Sequence, residues 1–122
     1  MTIREKQTKF AGMIGRLVMK SIDLGTPFFI LEMYRSLETQ KGYVARGVSK
    51  TLNSKHLDGL AIDIAFLLDV HDDGKLNYIP EQYKPLGEFW ESIGGRWGGR
   101  FGDDLTTEKI EGWDSGHFEF AG

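Results

Sequence analysis

Cysteine is absent from this chain. That excludes a disulfide framework and any thiolate metal site. A transition-metal site would have to be built from His, Asp or Glu, and there are only three histidines to draw on. Long apolar runs are missing too, since no segment approaches the ~18 consecutive apolar residues of a membrane span. The N-terminal stretch MTIREKQTKFAGMIGRL lacks the continuous apolar core of a secretory signal. Dense basic clusters are equally scarce. Fifteen Lys and Arg face eighteen Asp and Glu, for a net charge of -3, which argues against a nucleic-acid surface. These absences predict a protein made in the cytoplasm, with no nucleic-acid partner and no stable membrane association. They leave open where it acts.

What is present suffices for one domain. A chain of 122 residues buries roughly two-thirds of the surface its unfolded form exposes, so it can hold a core without staples. Within residues 2–23, apolar positions at Phe10, Met13, Ile14, Leu17, Val18 and Ile22 recur at helical spacing, and Gly25, Thr26 and Pro27 close the segment. FFILEMY reads as a strand over residues 28–34, and residues 36–46 as a short helix opened by Ser36. Residues 47–55 read as a polar loop, and residues 60–69 as the central strand. Asp72, Asp73 and Gly74 signal a turn, with LNYI as a return segment of a hairpin. Residues 80–93 read as a second main helix, with apolar spacing at Tyr83, Leu86, Phe89, Trp90 and Ile93. GGRWGGRFGDD reads as a glycine-rich loop pinned by aromatics, and GHFEF as a final strand. Helices and strands mix without a βαβ repeat, which predicts an α+β fold. The expectation is a single small domain spanning 1–122, with a short antiparallel sheet packed by two main helices.

One residue asks for a chemical explanation. Asp63 lies inside the apolar run GLAIDIAFLL, and burying an unpaired carboxylate is costly. A salt bridge to an arginine, or a strand-edge position facing water, would answer that cost. So would a metal ion. His56 sits on the polar approach to the same strand, and His117 lies on the last strand. Two imidazoles and one carboxylate make a set of three protein ligands, which in a catalytic zinc site leaves one position open. The ion would keep a net positive charge, able to polarise a carbonyl and acidify water. Asp114, three residues before His117, is placed to act as general base and then general acid. Glu119, two residues past His117, would share its strand face and serve as a hydrogen-bond acceptor behind it.

The stretch Ser54-Lys55-His56-Leu57-Asp58-Gly59-Leu60-Ala61-Ile62-Asp63 fits S-x-H-x-x-G-x-A-x-D, and Asp114-Ser115-Gly116-His117-Phe118-Glu119 fits [DE]-x-x-H-F-E. Tyr34-Arg35-Ser36 with Gln40 is similar to a third element that follows the first strand. Together, in order over residues 34–119, these resemble the zinc peptidases of family M15, the D-Ala-D-Ala carboxypeptidase and dipeptidase superfamily. Trp90, Trp97-Gly98-Gly99 and Phe101 ahead of the last motif look most like the branch of phage endolysins that act as L-alanyl-D-glutamate peptidases.

The resemblance implies one zinc ion per chain at the sheet edge, held by His56, Asp63 and His117. It implies Asp114 as catalytic base, Arg35 as stabiliser of the oxyanion, and Ser54 and Gln40 near the substrate. Arg35 also has a plain reading as a partner of Glu32 or Glu38. Trp113, beside Asp114, reads as a wall of the cleft, whereas Trp97 reads as a pin that holds its loop to the core. The implied function is cleavage of the L-Ala-D-Glu bond in peptidoglycan stem peptides. The rivals are D-Ala-D-Ala carboxypeptidase or dipeptidase activity, and a non-catalytic peptidoglycan-binding module. The expected setting is a monomer without a separate wall-binding domain. It would be made in the host cytoplasm, released by a separate holin, and active on the cell wall in the periplasm. DVHDDGKLNYIPE, over residues 69–81, partly echoes a calcium loop, but Pro80 stands where the bidentate Glu belongs. A polar hairpin turn is the preferred reading there.

Overall fold

The computed structural model describes residues 1–47, 55–70, 72–74, 79–100 and 114–122. Helix α1 spans Ile3–Asp23. Thr2 and Glu5 cap each other reciprocally at its start, which satisfies two otherwise unpaired N–H groups. Its buried stripe is Phe10, Met13, Leu17 and Ser21. The expected apolar positions Val18 and Ile22 stay exposed on the flank, so the stripe is narrower than hydrophobicity alone predicts. Gly25, at φ 72°, turns the chain out of the helix in the left-handed region that suits glycine.

Strand β1 covers Phe28–Glu32. Helix α2 covers Leu37–Ala45, with the Ser36 hydroxyl accepting from the Thr39 N–H. A 3-10 turn at Lys55–Asp58 leads to strand β2, Ala61–Phe66. The expected long strand ends there and becomes a 3-10 turn over Leu67–Asp69. Leu67 and Leu68 lie exposed in that turn, so their apolar side chains mimicked a strand continuation without joining the sheet. Helix α3 spans Pro80–Ser92, with proline in its first turn, where no N–H is missed.

The glycine-rich stretch departs from the expected loop. Gly95–Trp97 forms strand β3, and Gly98–Arg100 a 3-10 turn. Glycine is depleted in strands, but here close packing requires it. A Cβ on Gly95 would lie 2.0 Å from Nε1 of Trp90. Strand β4, His117–Phe120, ends the sheet-forming chain.

The sheet order is β1-β2-β4-β3, antiparallel throughout. Strand alternation gives this sheet two unlike faces. Ile62, Ile64, Phe66, Phe118 and Phe120 join Phe10, Leu17, Tyr83, Leu86, Trp90 and Trp97 in one core, so α1 and α3 cover that side. Asp63, His117 and Glu119 fall on the alternate positions. The register pairs Asp63 with His117, and Ala61 with Glu119. A bulge between Ile30 and Glu32 brings Glu32 opposite Asp63. The two central strands thus carry the polar residues as one cross-strand row, at the end of the sheet where β4 begins. Among the described residues, no helix is long and apolar enough to cross a membrane.

Candidate metal and catalytic site

His56, Asp63 and His117 meet, with one potential ligand atom from each lying within 4.8 Å of the others. They come from the 3-10 turn, β2 and β4 respectively. The His56 imidazole is almost completely buried. Its Nδ1 lies 2.8 Å from the Met33 carbonyl oxygen. A carbonyl only accepts, so Nδ1 donates to it and Nε2 faces the cluster. That Nε2 lies 3.1 Å from one Asp63 oxygen. His117 is oriented in the complementary way: Nε2 lies 2.8 Å from Oε1 of Glu119, and Nδ1 lies 3.0 Å from the other Asp63 oxygen. The two rings stand edge to face with centroids 5.1 Å apart.

This donor set fits a divalent ion of the zinc type. Each histidine is held through one nitrogen by an oxygen acceptor and offers the other nitrogen inward, as metal-ligating histidines do. Glu119 is the acceptor that faces Nε2 of His117. Three protein ligands of this kind leave room for a water or a substrate oxygen.

The electrostatics follow from the same contacts. Burial works against ionisation of Asp63, but hydrogen bonds from His117 and His56 outweigh it and hold the carboxyl well below the usual range. Burial likewise disfavours a charged His117, yet the Asp63 and Glu119 carboxylates push its pKa up to about 9. Asp114 lies in the turn before β4, with Oδ2 3.9 Å from Nδ1 of His117. Burial raises its pKa to about 6, with the nearby Asp63 charge adding to the rise against the pull of His117. A carboxyl tuned toward neutrality beside candidate ligands suits acid/base work.

The turn that carries Asp114 is clamped by the glycine-rich segment. Trp97 is fully buried and its indole N–H donates to the Ser115 carbonyl at 2.7 Å, so it pins this turn as expected. The Ile64 N–H donates to the Gly116 carbonyl at 2.9 Å. Gly98 fits against the same turn, where a Cβ would lie 2.2 Å from the Asp114 carbonyl oxygen and 2.7 Å from Cβ of His117.

Arg35 stands beside the cluster with Nη2 3.7 Å from Asp63. It also satisfies its plain reading, because Nε and Nη2 both donate to Glu32. Its Nη1 donates to Oε1 of Gln40 at 2.6 Å. Gln40, expected near the substrate, is fully buried and lies behind Arg35. Tyr43 joins this group although no motif marks it. Its ring lies 4.6 Å from Cζ of Arg35, and its hydroxyl donates to the second Glu32 oxygen at 3.1 Å. The signal was the three-residue spacing of Gln40 and Tyr43 on one face of α2. Ser54 and Trp113 lie outside the described residues, as do residues 71 and 75–78 of the calcium-like stretch and its proposed return strand.

Residues 47–120, more than half of the chain, match the model of an M15 peptidase family described as D-alanyl-D-alanine carboxypeptidase. The chain belongs to peptidase family M15. Solved structures resemble this M15 peptidase over most of its length. The L-Ala D-Glu endopeptidase ChiX of Serratia marcescens aligns at 27% identity and TM-score 0.55, covering 78% of this chain and 67% of ChiX. The D,D-pentapeptidase VanY of a VanB-type vancomycin resistance cassette, solved as a variant with Zn(II), aligns at 21% identity and TM-score 0.60, covering 93% of this chain and 71% of VanY. The LD-carboxypeptidase LdcB aligns at 20% identity and TM-score 0.60, covering 93% of this chain and 64% of LdcB. At their identities, VanY and LdcB speak for the fold. None of the curated proteins matches this M15 chain.

Proposed function

We propose that this chain is a zinc-dependent peptidoglycan peptidase that hydrolyses the L-Ala-D-Glu bond of stem peptides. The observation that carries the reading is the meeting of His56, Asp63 and His117 beside a carboxyl, Asp114, whose pKa is pushed up to about 6. The likeness to ChiX, at 27% identity, supports the choice of bond. A bound zinc would supply Lewis acidity, polarising the scissile carbonyl and acidifying water.

The chain's own residues supply the rest. His56, Asp63 and His117 would hold the ion, and Glu119 keeps the His117 ring in orientation through Nε2. Asp114 takes the proton of the attacking water and passes it to the leaving amine. Arg35, presented by Glu32 and Gln40, donates to the carbonyl oxygen as negative charge develops there. A binding module with a structural metal would need neither an acid/base carboxyl nor an open ligand position. The resemblance to phage endolysins supports a setting in which a separate holin delivers the protein to the wall.

The description of the matching family favours a second reading, a D-alanyl-D-alanine carboxypeptidase. Mass spectrometry of purified peptidoglycan digested by the zinc-loaded protein separates the two. New C-terminal L-Ala paired with N-terminal D-Glu supports the first, and release of free D-Ala supports the second. Intact stem peptides would overturn both.

A further inference from the structure

Arg35 stands between two carboxylates. Glu32 and Asp63 are register partners across β1 and β2, and the same Nη2 that donates to Glu32 lies 3.7 Å from Oδ2 of Asp63. That separation is less than about 1 Å beyond a charge-assisted hydrogen bond, so a small rotation of the guanidinium would close it. The other contacts of Arg35 among the described residues oppose that rotation. Glu32 takes both Nε and Nη2, Gln40 takes Nη1, and the Tyr43 ring lies along the guanidinium while its hydroxyl steadies Glu32. Arg35 is only 10% exposed and Glu32 only 24%, so water screens this contest weakly.

We propose that Glu32, steadied by Tyr43, is a positioning residue that holds the Arg35 guanidinium off Asp63 and so keeps the Asp63 carboxylate available to a metal ion. Among the described residues, removing the Glu32 charge leaves Asp63, 3.7 Å from Nη2, as the carboxylate next to Arg35 on this sheet face. Arg35 then pairs with it, and an incoming ion must break that pair. Hydrogen bonds to charged groups of this kind are strong enough to weaken metal binding on the order of tenfold. The inference rests on the metal-site reading above.

The test is zinc affinity of the full chain, measured by competition with a chromophoric chelator. Glu32→Gln should bind zinc about tenfold more weakly, and Tyr43→Phe should shift affinity in the same direction by less. The double variant Glu32→Gln with Arg35→Gln should recover the wild-type affinity, because the competing cation is gone. A merely structural role for Glu32 predicts no such recovery. Unchanged affinity in Glu32→Gln, or a double variant as weak as Glu32→Gln alone, overturns the proposal and leaves the peptidase reading standing. A wild-type chain that binds no zinc overturns the metal-site reading beneath it.

Discussion

Metal binding at this site should release a proton. His117 lies between two carboxylates, with Nδ1 toward Asp63 and Nε2 toward Glu119. That position pushes its pKa up to about 9, so at pH 7 the ring carries both protons. Ligation requires the Nδ1 lone pair, so an ion must displace one of them. At about two pH units below the pKa, that displacement costs about 3 kcal/mol, or about a hundredfold in apparent affinity. The sign is set by which state holds the proton. Affinity rises about tenfold per pH unit from 7 to 9 and levels off above 9. Asp63 adds no slope in this window, because its carboxyl is held well below the usual range. Asp114, pushed up to about 6, contributes mainly below that pH. Isothermal titration calorimetry with zinc, in buffers of different ionisation enthalpy at pH 7, should report about one proton released per ion bound. A heat independent of buffer, together with an affinity flat from pH 7 to 9, would refute the placement of His117 between these two acceptors as the ligand.

The other expectations are more local. In the metal-free protein, the raised His117 pKa favours the folded state by about 3 kcal/mol. The side chain is only 8% exposed, so little of this is screened. That stability is fully present below the ordinary value of 6.5 and is lost as pH rises through about 9. Urea denaturation at pH 6 and pH 10 should show the fall. Asp114→Asn should keep its zinc, as measured by metal analysis, and lose about 10²–10⁴ in kcat. Gly98→Ala should destabilise the fold by about 1–3 kcal/mol in urea denaturation, because its Cβ would meet backbone of the turn that carries Asp114. A wild-type midpoint for Gly98→Ala would mean that the turn is not clamped there.

Much of the site was legible because its residues sit inside strong local patterns. Asp63 stands out as a carboxylate in an apolar strand, and strand alternation then places it on the face away from the helices. His117 and Glu119 follow from the two-residue period of HFEF. The helices were legible for similar reasons, through apolar spacing in α1 and α3 and the Ser36 cap of α2.

Other features depend on residues far apart in the chain. Nothing near GGRW shows that Trp90 and Trp97 need glycines beside them, so a strand looked like a loop. Val18 and Ile22 carried the right hydrophobicity, but α3 and the sheet cover only the narrower stripe through Phe10, Met13 and Leu17. The Glu32–Arg35–Gln40–Tyr43 group joins β1 to α2, and only the fold shows that it borders Asp63. The pKa values of Asp114 and His117 arise from burial and from partners on other strands, which no local motif encodes.

The central claim is that three residues from three separate elements form one metal centre. Anomalous diffraction at the zinc edge, from crystals grown with zinc, tests it most directly. The account predicts one strong peak in contact with Nε2 of His56, Nδ1 of His117 and the Asp63 carboxylate. An absent peak there, or one held by other residues, would contradict it.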